Sequence, residues 1–332
     1  IQACGAAATG GPTSNPSASA TGGTVAIGPA EKATVSVAFR LPNMESQAPI
    51  WLASNLGYYQ QEGLTVTIIN TPDTVSAVTG GSATFGMDTP GTPASAIGKG
   101  VNLAIASGYF CTHGATIAVQ KDISTPADLA GKEVILGGTP GSPDVDYRLK
   151  LLKDAGFDLT GVAFNPVTVP GGSDAWAQLF DADKVALTYF FARQRAEIVA
   201  HGGRVVLDDA LHPGYDGVLF ATKAFLTQNP NTAARFLRAT MKGVDYYLDT
   251  ANQATVLKDV QADGFKLVQA QIDTYVQGTQ NFHGCAGLPL DQTLINQTLT
   301  DGKVSPIPGW SSLTDTTALV AAQAAMSDPQ TP

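Results

Sequence analysis

The sequence predicts an α/β fold with mainly parallel sheets, because strand and helix patterns alternate along the chain. Its 332 residues are enough for two domains of ordinary size. The net charge of −9 and the absence of Lys/Arg runs exclude the basic footprint of a nucleic-acid-binding protein. No apolar stretch reaches the roughly 18 residues needed to span a bilayer. We therefore expect a two-domain α/β protein without a nucleic-acid partner.

The first third of the chain shows this alternation most clearly. Val35, Val37 and Phe39 recur with period two, which indicates a strand, whereas Leu52 and Leu56 share one helical face. The predicted elements of this part are a strand over 33–40, a helix over 48–64, a strand over 64–69, a short helix and a strand over 74–87, and a helix and a strand over 91–110.

The segment VILGGTPGSPDVDYRLKLLKDAGFD, residues 134–158, reads as a strand, a glycine-rich turn and a helix. Ser142 is a good N-cap, Pro143 suits the first helical position, and Gly156 is a C-cap candidate. The turn lacks the lysine of a phosphate-binding loop and the G-x-G-x-x-G pattern of a dinucleotide site. It is either a tight connection without a ligand or one wall of a binding site, and no cofactor is predicted.

The remaining elements continue the pattern and then change it. Residues 171–209 predict a helix, a strand, a second helix and a second strand. From Ala221 onward the chain is predicted to be mainly helical.

The N-terminus predicts an exported, lipid-anchored protein. Residues 1–5, Ile-Gln-Ala-Cys-Gly, resemble the tail of a bacterial lipobox, whose cysteine, here Cys4, is lipidated. A Gly/Ser/Thr/Ala/Pro-rich stretch follows up to Lys32, and this composition suits a flexible tether. The alternative is a disordered N-terminus with a chance cysteine.

Two further cysteines, Cys111 and Cys285, form an even pair once Cys4 is assigned. In an oxidising compartment we expect them to form a disulfide. Together with His113 and His283 they could instead supply four zinc ligands, although C-x-H is poor chelate spacing, or they could remain free thiols. We predict no metal site.

Three blocks of the sequence, taken in order, resemble a known family. They are APIWLASNLGYYQQEGLTVTII (48–69), SATFGMDTPGTPASAIGKGVNLAIASGY (82–109) and ISTPADLAGKEVILGGTPGSPDVDYRLKLLKDAGFD (123–158). They are similar to solute-binding proteins of ABC importers, in the nitrate/sulfonate/taurine branch that also includes binders of thiamine-pyrimidine precursors. The chain departs from this pattern near DADKVALTYFF (181–191), where the family has a small G-x-D-A step.

The resemblance implies a periplasmic-binding-protein fold of type II. This fold has two α/β lobes, two crossovers, and a ligand cleft between the lobes at the carboxyl ends of strands. One lobe would hold 33–118 and 217–328 and the other 119–216, after a tether over 1–32, with the crossovers near 119–121 and 213–217. The implied protein is an extracytoplasmic monomer that delivers a small molecule to a membrane permease and is not an enzyme.

Candidate ligand-binding residues are those at the predicted strand ends and turns facing the cleft. They are Arg40, Asn43, Glu45, Trp51, Asp88, Thr89, Tyr109, Phe110, Thr139, Gly141, Ser142, Asp144, Ser173, Asp174, Trp176, Tyr189, Phe190, Tyr215 and Asp216. The alternative for each is a capping, turn or core residue.

Acidic candidates outnumber the candidate cations Arg40 and Arg193, so the predicted ligand is a small nitrogenous heterocycle or an amine. The alternatives are a sulfonate or taurine binder, and an enzyme on the same fold that acts in pyrimidine-precursor or chorismate-derived metabolism. The four histidines lie in no catalytic motif, and the cysteine-rich run with a histidine found in thiamine-pyrimidine synthases is absent.

Overall fold

The computed structural model describes residues 27–40, 44–112, 116–170, 172–190, 194–208, 213–262 and 286–327. The strands are β1 (Thr34–Phe39), β2 (Thr65–Asn70), β3 (Phe85–Asp88), β4 (Leu103–Thr112), β5 (Thr116–Val119), β6 (Glu133–Ile135), β7 (Asn165–Pro166), β8 (Leu187–Phe190), β9 (Arg204–Asp208) and β10 (Pro213–Thr222). The α-helices are α1 (Met44–Asn55), α2 (Tyr58–Gln61), α3 (Thr74–Thr79), α4 (Gly91–Gly98), α5 (Pro143–Asp154), α6 (Gly172–Asp181), α7 (Arg195–Ala200), α8 (Lys223–Gln228), α9 (Pro230–Leu248), α10 (Gln253–Ala262), α11 (Gln292–Asp301), α12 (Trp310–Leu313) and α13 (Thr317–Met326). None of these helices is long and apolar enough to cross a bilayer.

The first sheet has the strand order β2-β1-β3-β10-β4. Strands β1, β2 and β3 are parallel, and β10 runs antiparallel to both β3 and β4. As the period-two pattern predicts, Val35, Val37 and Phe39 are buried, and they pack with α1, α2, α9 and α13 on one face. The other face is covered by α3, α4, α11 and α12. We call the described residues within 27–112 and 213–327, which build this sheet and its helices, lobe 1.

The second sheet has the order β7-β6-β8-β5-β9. Strands β6, β7 and β8 are parallel, and β5 runs antiparallel to β8 and β9. Its core is separate from that of lobe 1 and includes Leu152, Phe180 and Leu187, all fully buried. We call residues 116–208 lobe 2. Two α/β lobes joined by two chain crossovers agree with the predicted fold class.

The crossovers differ in position from those expected. Strand β5 pairs with β8 and β9, so residues 116–119 belong to the second sheet. Strand β10 pairs with β3 and β4, so residues 213–216 belong to the first. The chain therefore passes between the sheets after Thr112 and after Asp208, which corrects the boundaries at 118 and 216. The stretch 213–217, predicted to be a crossover, is the start of strand β10.

The segment before β1 is held against α9. The carboxylate of Glu31 accepts hydrogen bonds from the backbone N–H groups of Asn231 (3.1 Å) and Thr232 (2.7 Å), near the start of that helix. Burial opposes ionisation, but these bonds outweigh it and lower the pKa of Glu31 to about 2. Residues 27–32 are therefore part of lobe 1 rather than of a flexible tether. Cys4 lies outside the described residues.

Cys111, near the end of β4, is buried and disulfide-bonded. No other cysteine lies in the described part of the chain, so its pairing with Cys285 stays a prediction. We expect thiol counting on the denatured, unreduced protein to find neither Cys111 nor Cys285 free. On the chain-entropy account, closing so long a loop stabilises by roughly 4–5 kcal/mol. Two additional free thiols would contradict the pairing.

Candidate functional site

A cavity lies where the two lobes meet, at the carboxyl ends of β1 and β3 and the amino end of α5. In the arrangement described its free volume is about 20 Å³, room for about one water molecule, so a larger solute requires the lobes to move apart. We call it the cleft cavity. Lobe 1 contributes Thr89, Gly91, Tyr215, Asp216 and Thr298, and lobe 2 contributes Pro143, Asp144, Tyr147 and Arg148. Open α/β sheets bind ligands at such strand ends.

Beside the cavity, Arg40 follows the end of β1 and pairs with Asp88 at the end of β3. The Nη2 atom of Arg40 lies 2.8 Å from Oδ1 of Asp88. The hydroxyls of Thr74 (2.7 Å) and Thr92 (3.0 Å) also donate to this carboxylate. Burial raises the pKa of Asp88, although Arg40 opposes the shift. The buried carboxylate thus fixes Arg40 at the mouth of the cleft.

Asp144, on the first turn of α5, connects the lobes. Its Oδ2 accepts from Nη1 of Arg40 (3.1 Å) and its Oδ1 accepts from the hydroxyl of Thr89 (2.6 Å). Burial alone would raise its pKa, but Arg40, Arg148 and the Thr89 hydroxyl outweigh burial and lower it. A side chain of lobe 2 is thus held by two side chains of lobe 1.

The backbone next to Asp144 is also closely packed against lobe 1. A Cβ atom on Gly91 would lie 2.8 Å from Cβ of Pro143, and one on Gly302 would lie 2.8 Å from the Pro143 carbonyl oxygen. Only glycine leaves room for this approach. Lys303 adds an exposed ion pair to Asp146, 3.0 Å long. The amino end of α5 therefore closes onto α4 and α11.

Arg148 lies one helical turn beyond Asp144 and is 7% exposed. Its Nη1 donates to the carbonyl oxygen of Leu136 (2.9 Å), and its guanidinium lies 4.2 Å from the ring centre of Tyr189. Gly137, with φ +74°, permits this stacking, because a Cβ there would lie 2.4 Å from the Tyr189 ring. Within the described residues Arg148 makes no ion pair closer than 4 Å, so most of its N–H groups remain available on the cavity side.

Asp216, in β10, brings a carboxylate to the cavity from the opposite lobe. It accepts no hydrogen bond from the described residues, although it lines the cavity. Burial raises its pKa to about 7; the attraction of Arg148 lowers it, while Asp144 and Asp88 add to the rise. The neighbouring Tyr215 is fixed through its hydroxyl, which donates to the Pro289 carbonyl oxygen (2.8 Å).

Disrupting the contact across the lobes should open the empty protein. We expect Asp144→Ala to shift the equilibrium between closed and open forms toward the open form by about 10- to 100-fold, because charge-assisted hydrogen bonds contribute about 1.5–3 kcal/mol. Small-angle X-ray scattering should then show a larger radius of gyration. Asp146→Ala, which removes only the exposed pair, is the matched control. Equal radii for Asp144→Ala and the unaltered protein would show that this contact does not hold the lobes together.

The structure brings six of the predicted site residues together. Thr89, Asp144, Tyr215 and Asp216 line the cavity, and Arg40 and Asp88 form the ion pair beside it. Asn43 lies outside the described residues, as does Arg193, and only the backbone of Glu45, in α1, is described.

The other predicted residues lie in the turn before α5 or in the lobe cores. Thr139 and Gly141 are exposed in the turn, and Ser142 is the predicted N-cap, accepting from the N–H of Val145. Those packed in or against the cores, rather than lining the cavity, are Trp51, Tyr109, Phe110, Ser173, Trp176, Tyr189 and Phe190. Asp174 accepts from the side chain of Gln194 (2.7 Å) on lobe 2. Ligand contact by these residues stays a prediction.

Several residues in or beside the cavity were not predicted. Arg148 and Tyr147 follow Asp144 by four and three residues, so helical spacing from that candidate would have placed them on the same face of α5. Thr92 could have been found in the same way from Asp88 and Thr89, at the start of α4. Thr298 lies on α11 and has no local signal, since only the tertiary fold brings it to the cavity.

Residues 45–254 match the family described as NMT1/THI5 like. The chain belongs to the NMT1/THI5-like family. Two curated relatives are similar to it: a formylaminopyrimidine-binding protein of Halalkalibacterium halodurans and a 4-amino-5-hydroxymethyl-2-methylpyrimidine phosphate synthase of Aspergillus parasiticus. They are 23% and 27% identical to it. The aligned region covers 66% and 60% of this chain, and 68% and 63% of the respective relatives.

Solved structures agree with this membership at the level of the fold. The alkanesulfonate-binding protein of Xanthomonas axonopodis pv. citri, bound to MOPS, superposes with a TM-score of 0.60 at 16% identity. The match covers 88% of this chain and 98% of that one. The NMT1/THI5-like chain therefore has the periplasmic-binding-protein fold used by the solute-binding proteins of ABC importers.

Proposed function

We propose that this protein binds a small nitrogenous heterocycle or an amine in the cleft cavity and delivers it to the permease of an ABC importer. The observation that carries the proposal is that both lobes line one cavity with charged side chains, Arg148 from lobe 2 and Asp216 from lobe 1. A solute that contacts both would favour the closed arrangement over an open one. This is how a two-lobed protein retains a solute until its partner opens it.

The charges around the cavity favour a cationic or N–H-rich solute. Asp88, Asp144 and Asp216 supply three carboxylates, whereas Arg40 and Arg148 supply two guanidinium groups. Asp88 and Asp144 are paired with Arg40, so Asp216 carries the carboxylate without a donor. A simple anion such as nitrate would add to this excess, while an amine or a protonated heterocycle would neutralise it.

Native mass spectrometry of freshly purified protein should detect a co-purified small molecule. Thermal-shift screening of the emptied protein should find stabilisation by aminopyrimidines or amines, and scattering should show a smaller radius on binding if the starting form is open. Stabilisation only by sulfonates that lack an amino group would overturn the ligand class. No binding of any small solute would overturn the function itself.

We also propose that the protein is a monomer outside the cytoplasm, anchored to the membrane through a lipid on Cys4. The predicted lipobox supports this. In cells that process lipoproteins, Cys4→Ala protein should move from the membrane fraction to the soluble fraction with an unchanged melting temperature. Within the part of the chain that the structure describes, Gly28, Glu31 and Lys32 hold the segment before β1 to α9 by hydrogen bonds, and this variant leaves them unchanged. Continued partition into the membrane fraction would show that Cys4 is not the anchor.

Catalysis is the second candidate, because one relative is named as a pyrimidine phosphate synthase. The described residues that line the cleft cavity include no cysteine or histidine, but Asp216, whose pKa burial raises to about 7, could act as a general base. Mass spectrometry after incubation with a bound pyrimidine tests this directly: an unchanged ligand supports binding, and a product supports an enzyme.

A further inference from the structure

Within the described part of the chain, two charged side chains of the cleft cavity, Asp216 and Arg148, lack the close hydrogen-bonded partner of opposite charge that the other charged groups of the site have. Arg40, Asp88 and Asp144 are hydrogen-bonded to one another or to threonine hydroxyls. Asp216 and Arg148 have no such partner of opposite charge within hydrogen-bond reach among the described residues. Both groups lose part of their hydration without a hydrogen-bonded partner of opposite charge, and their mutual attraction at longer range offsets this loss only in part, so a ligand that bonds to both would offset it further.

Arg148 is nevertheless rigidly placed. The carbonyl of Leu136 accepts from one of its N–H groups, and the face of Tyr189 supports its plane. Arginine has five N–H donors in a fixed planar fork. The donors that remain can bind an acceptor on the solute, such as a carbonyl, hydroxyl, sulfonate or ring-nitrogen atom.

Asp216 offers the opposite chemistry from the other side. Its carboxylate only accepts hydrogen bonds when ionised, so it requires N–H or O–H groups on the solute. The strand β10 that carries it is an interior strand of the first sheet, paired on both sides with β3 and β4, which gives it a fixed position. Acceptor and donor thus belong to different lobes.

We propose that Asp216 and Arg148 together select a bifunctional solute, one that presents an amino or amidine-like N–H group to Asp216 and an acceptor atom to Arg148. The inference rests on the proposed solute-binding function and specifies its ligand class. A solute with only one of the two groups leaves either Asp216 or Arg148 without a partner. The cost of that unpaired charge lowers the affinity by more than the loss of one hydrogen bond. Because the two residues lie on different lobes, selection and closure are the same event.

Two matched sets of probes test this. One is 2-aminoethanesulfonate with ethanesulfonate and ethylammonium; the other is 4-amino-5-hydroxymethyl-2-methylpyrimidine with the same compound lacking the 4-amino group. In at least one set the bifunctional member should bind at least about 10-fold more tightly than its monofunctional counterparts in isothermal titration calorimetry at pH 8. The set that binds shows whether the solute is an aminosulfonate or an aminopyrimidine.

Variants assign the selection to the two residues. Asp216→Asn should abolish the preference for the amino group, and Arg148→Met should reduce affinity for the acceptor-bearing probe by about 10- to 100-fold. Lys150→Met, on the exposed side of the same helix, is the control and should leave every affinity unchanged. Arg148→Lys keeps the charge and serves if the methionine variant does not fold, as judged by its melting curve.

Two results separate this inference from the function on which it rests. If the unaltered protein binds a probe and Asp216→Asn binds it equally well with the same preference, the selection by Asp216 and Arg148 is wrong and solute binding stands. If no probe binds and no small molecule co-purifies, the solute-binding function is wrong and this inference is wrong with it.

Discussion

Replacing Asp216 by asparagine should stabilise the empty protein above pH 7 and have little effect at pH 4 or below. Burial raises the pKa of this carboxyl from 3.8 to about 7 in the folded protein. Between these two values the unfolded chain releases the proton while the folded protein keeps it, so the carboxyl lowers stability progressively as the pH rises. Above pH 7 the free energy of unfolding has fallen by the full amount. For a partly exposed carboxyl we expect this decrease to be about 2–4 kcal/mol.

Urea denaturation at pH 4, 6 and 8 measures this effect. The difference in unfolding free energy between Asp216→Asn and the unaltered protein should grow with pH over that range. Asp154→Asn, which removes an exposed carboxylate paired with Lys150, should change stability by less than about 1 kcal/mol at each pH. If Asp216→Asn were destabilising at pH 8, Asp216 would be a structural residue with a partner rather than a group kept for a ligand.

Replacing Glu62 by glutamine should have the opposite effect and lower the free energy of unfolding by about 3 kcal/mol. Glu62 is 2% exposed and forms a two-point pair with Arg238, Oε1 to Nε at 2.6 Å and Oε2 to Nη2 at 2.7 Å. Arg235 also lies 3.4 Å from Oε2 and donates to the backbone oxygen of Glu62. The substitution leaves two arginines, both largely buried, without their shared negative charge.

Asp122→Asn is the control for this second prediction, since it removes one partner of an exposed pair with Lys132. Pairs of that kind contribute about 0–1 kcal/mol. Urea denaturation of both variants at pH 7 makes the comparison. A loss below about 1 kcal/mol for Glu62→Gln would mean that the two arginines find other partners or solvent without difficulty.

The site residues that could be predicted from the sequence lie mainly next to a strand end or a helix start, which local residue patterns reveal. Arg40, Asp88 and Thr89 stand at or directly after the ends of strands that were predicted from the sequence, and strand ends of parallel sheets meet at one edge. Asp144 follows an N-cap that is recognisable by residue type. Each of these signals is local, so it can be read without knowing the fold.

The aromatic candidates show what this reasoning cannot reach. Tyr109, Phe110, Tyr189 and Phe190 also lie at strand ends, yet all four are at most 7% exposed and pack in the lobe cores. Helices cover both faces of these sheets, so alternation along a strand does not tell which side chain faces a cavity. Only the packing of distant segments decides that.

The placement of β10 was missed for a related reason. Its first residues, Pro213 and Gly214, with Gly217 shortly after, are typical of a turn. Pairing with β3 and β4 overrides this signal, and the register shifts beside Gly217 accommodate it. Long-range pairing of this kind leaves no pattern in the strand itself.

The late position of β10 in the sequence has a consequence for how the chain acquires its structure during synthesis. Lobe 2 is continuous in sequence and is synthesised between β4 and β10, and throughout that time the first sheet lacks the strand that joins β3 to β4. Meanwhile the edges of β3 and β4 that β10 will occupy remain unpaired, and such edges recruit strands from other molecules. The nascent chain is thus most prone to aggregate during the synthesis of lobe 2. We expect insertion of β10, a pairing of high sequence separation with β3, to be the slow step in the folding of this protein.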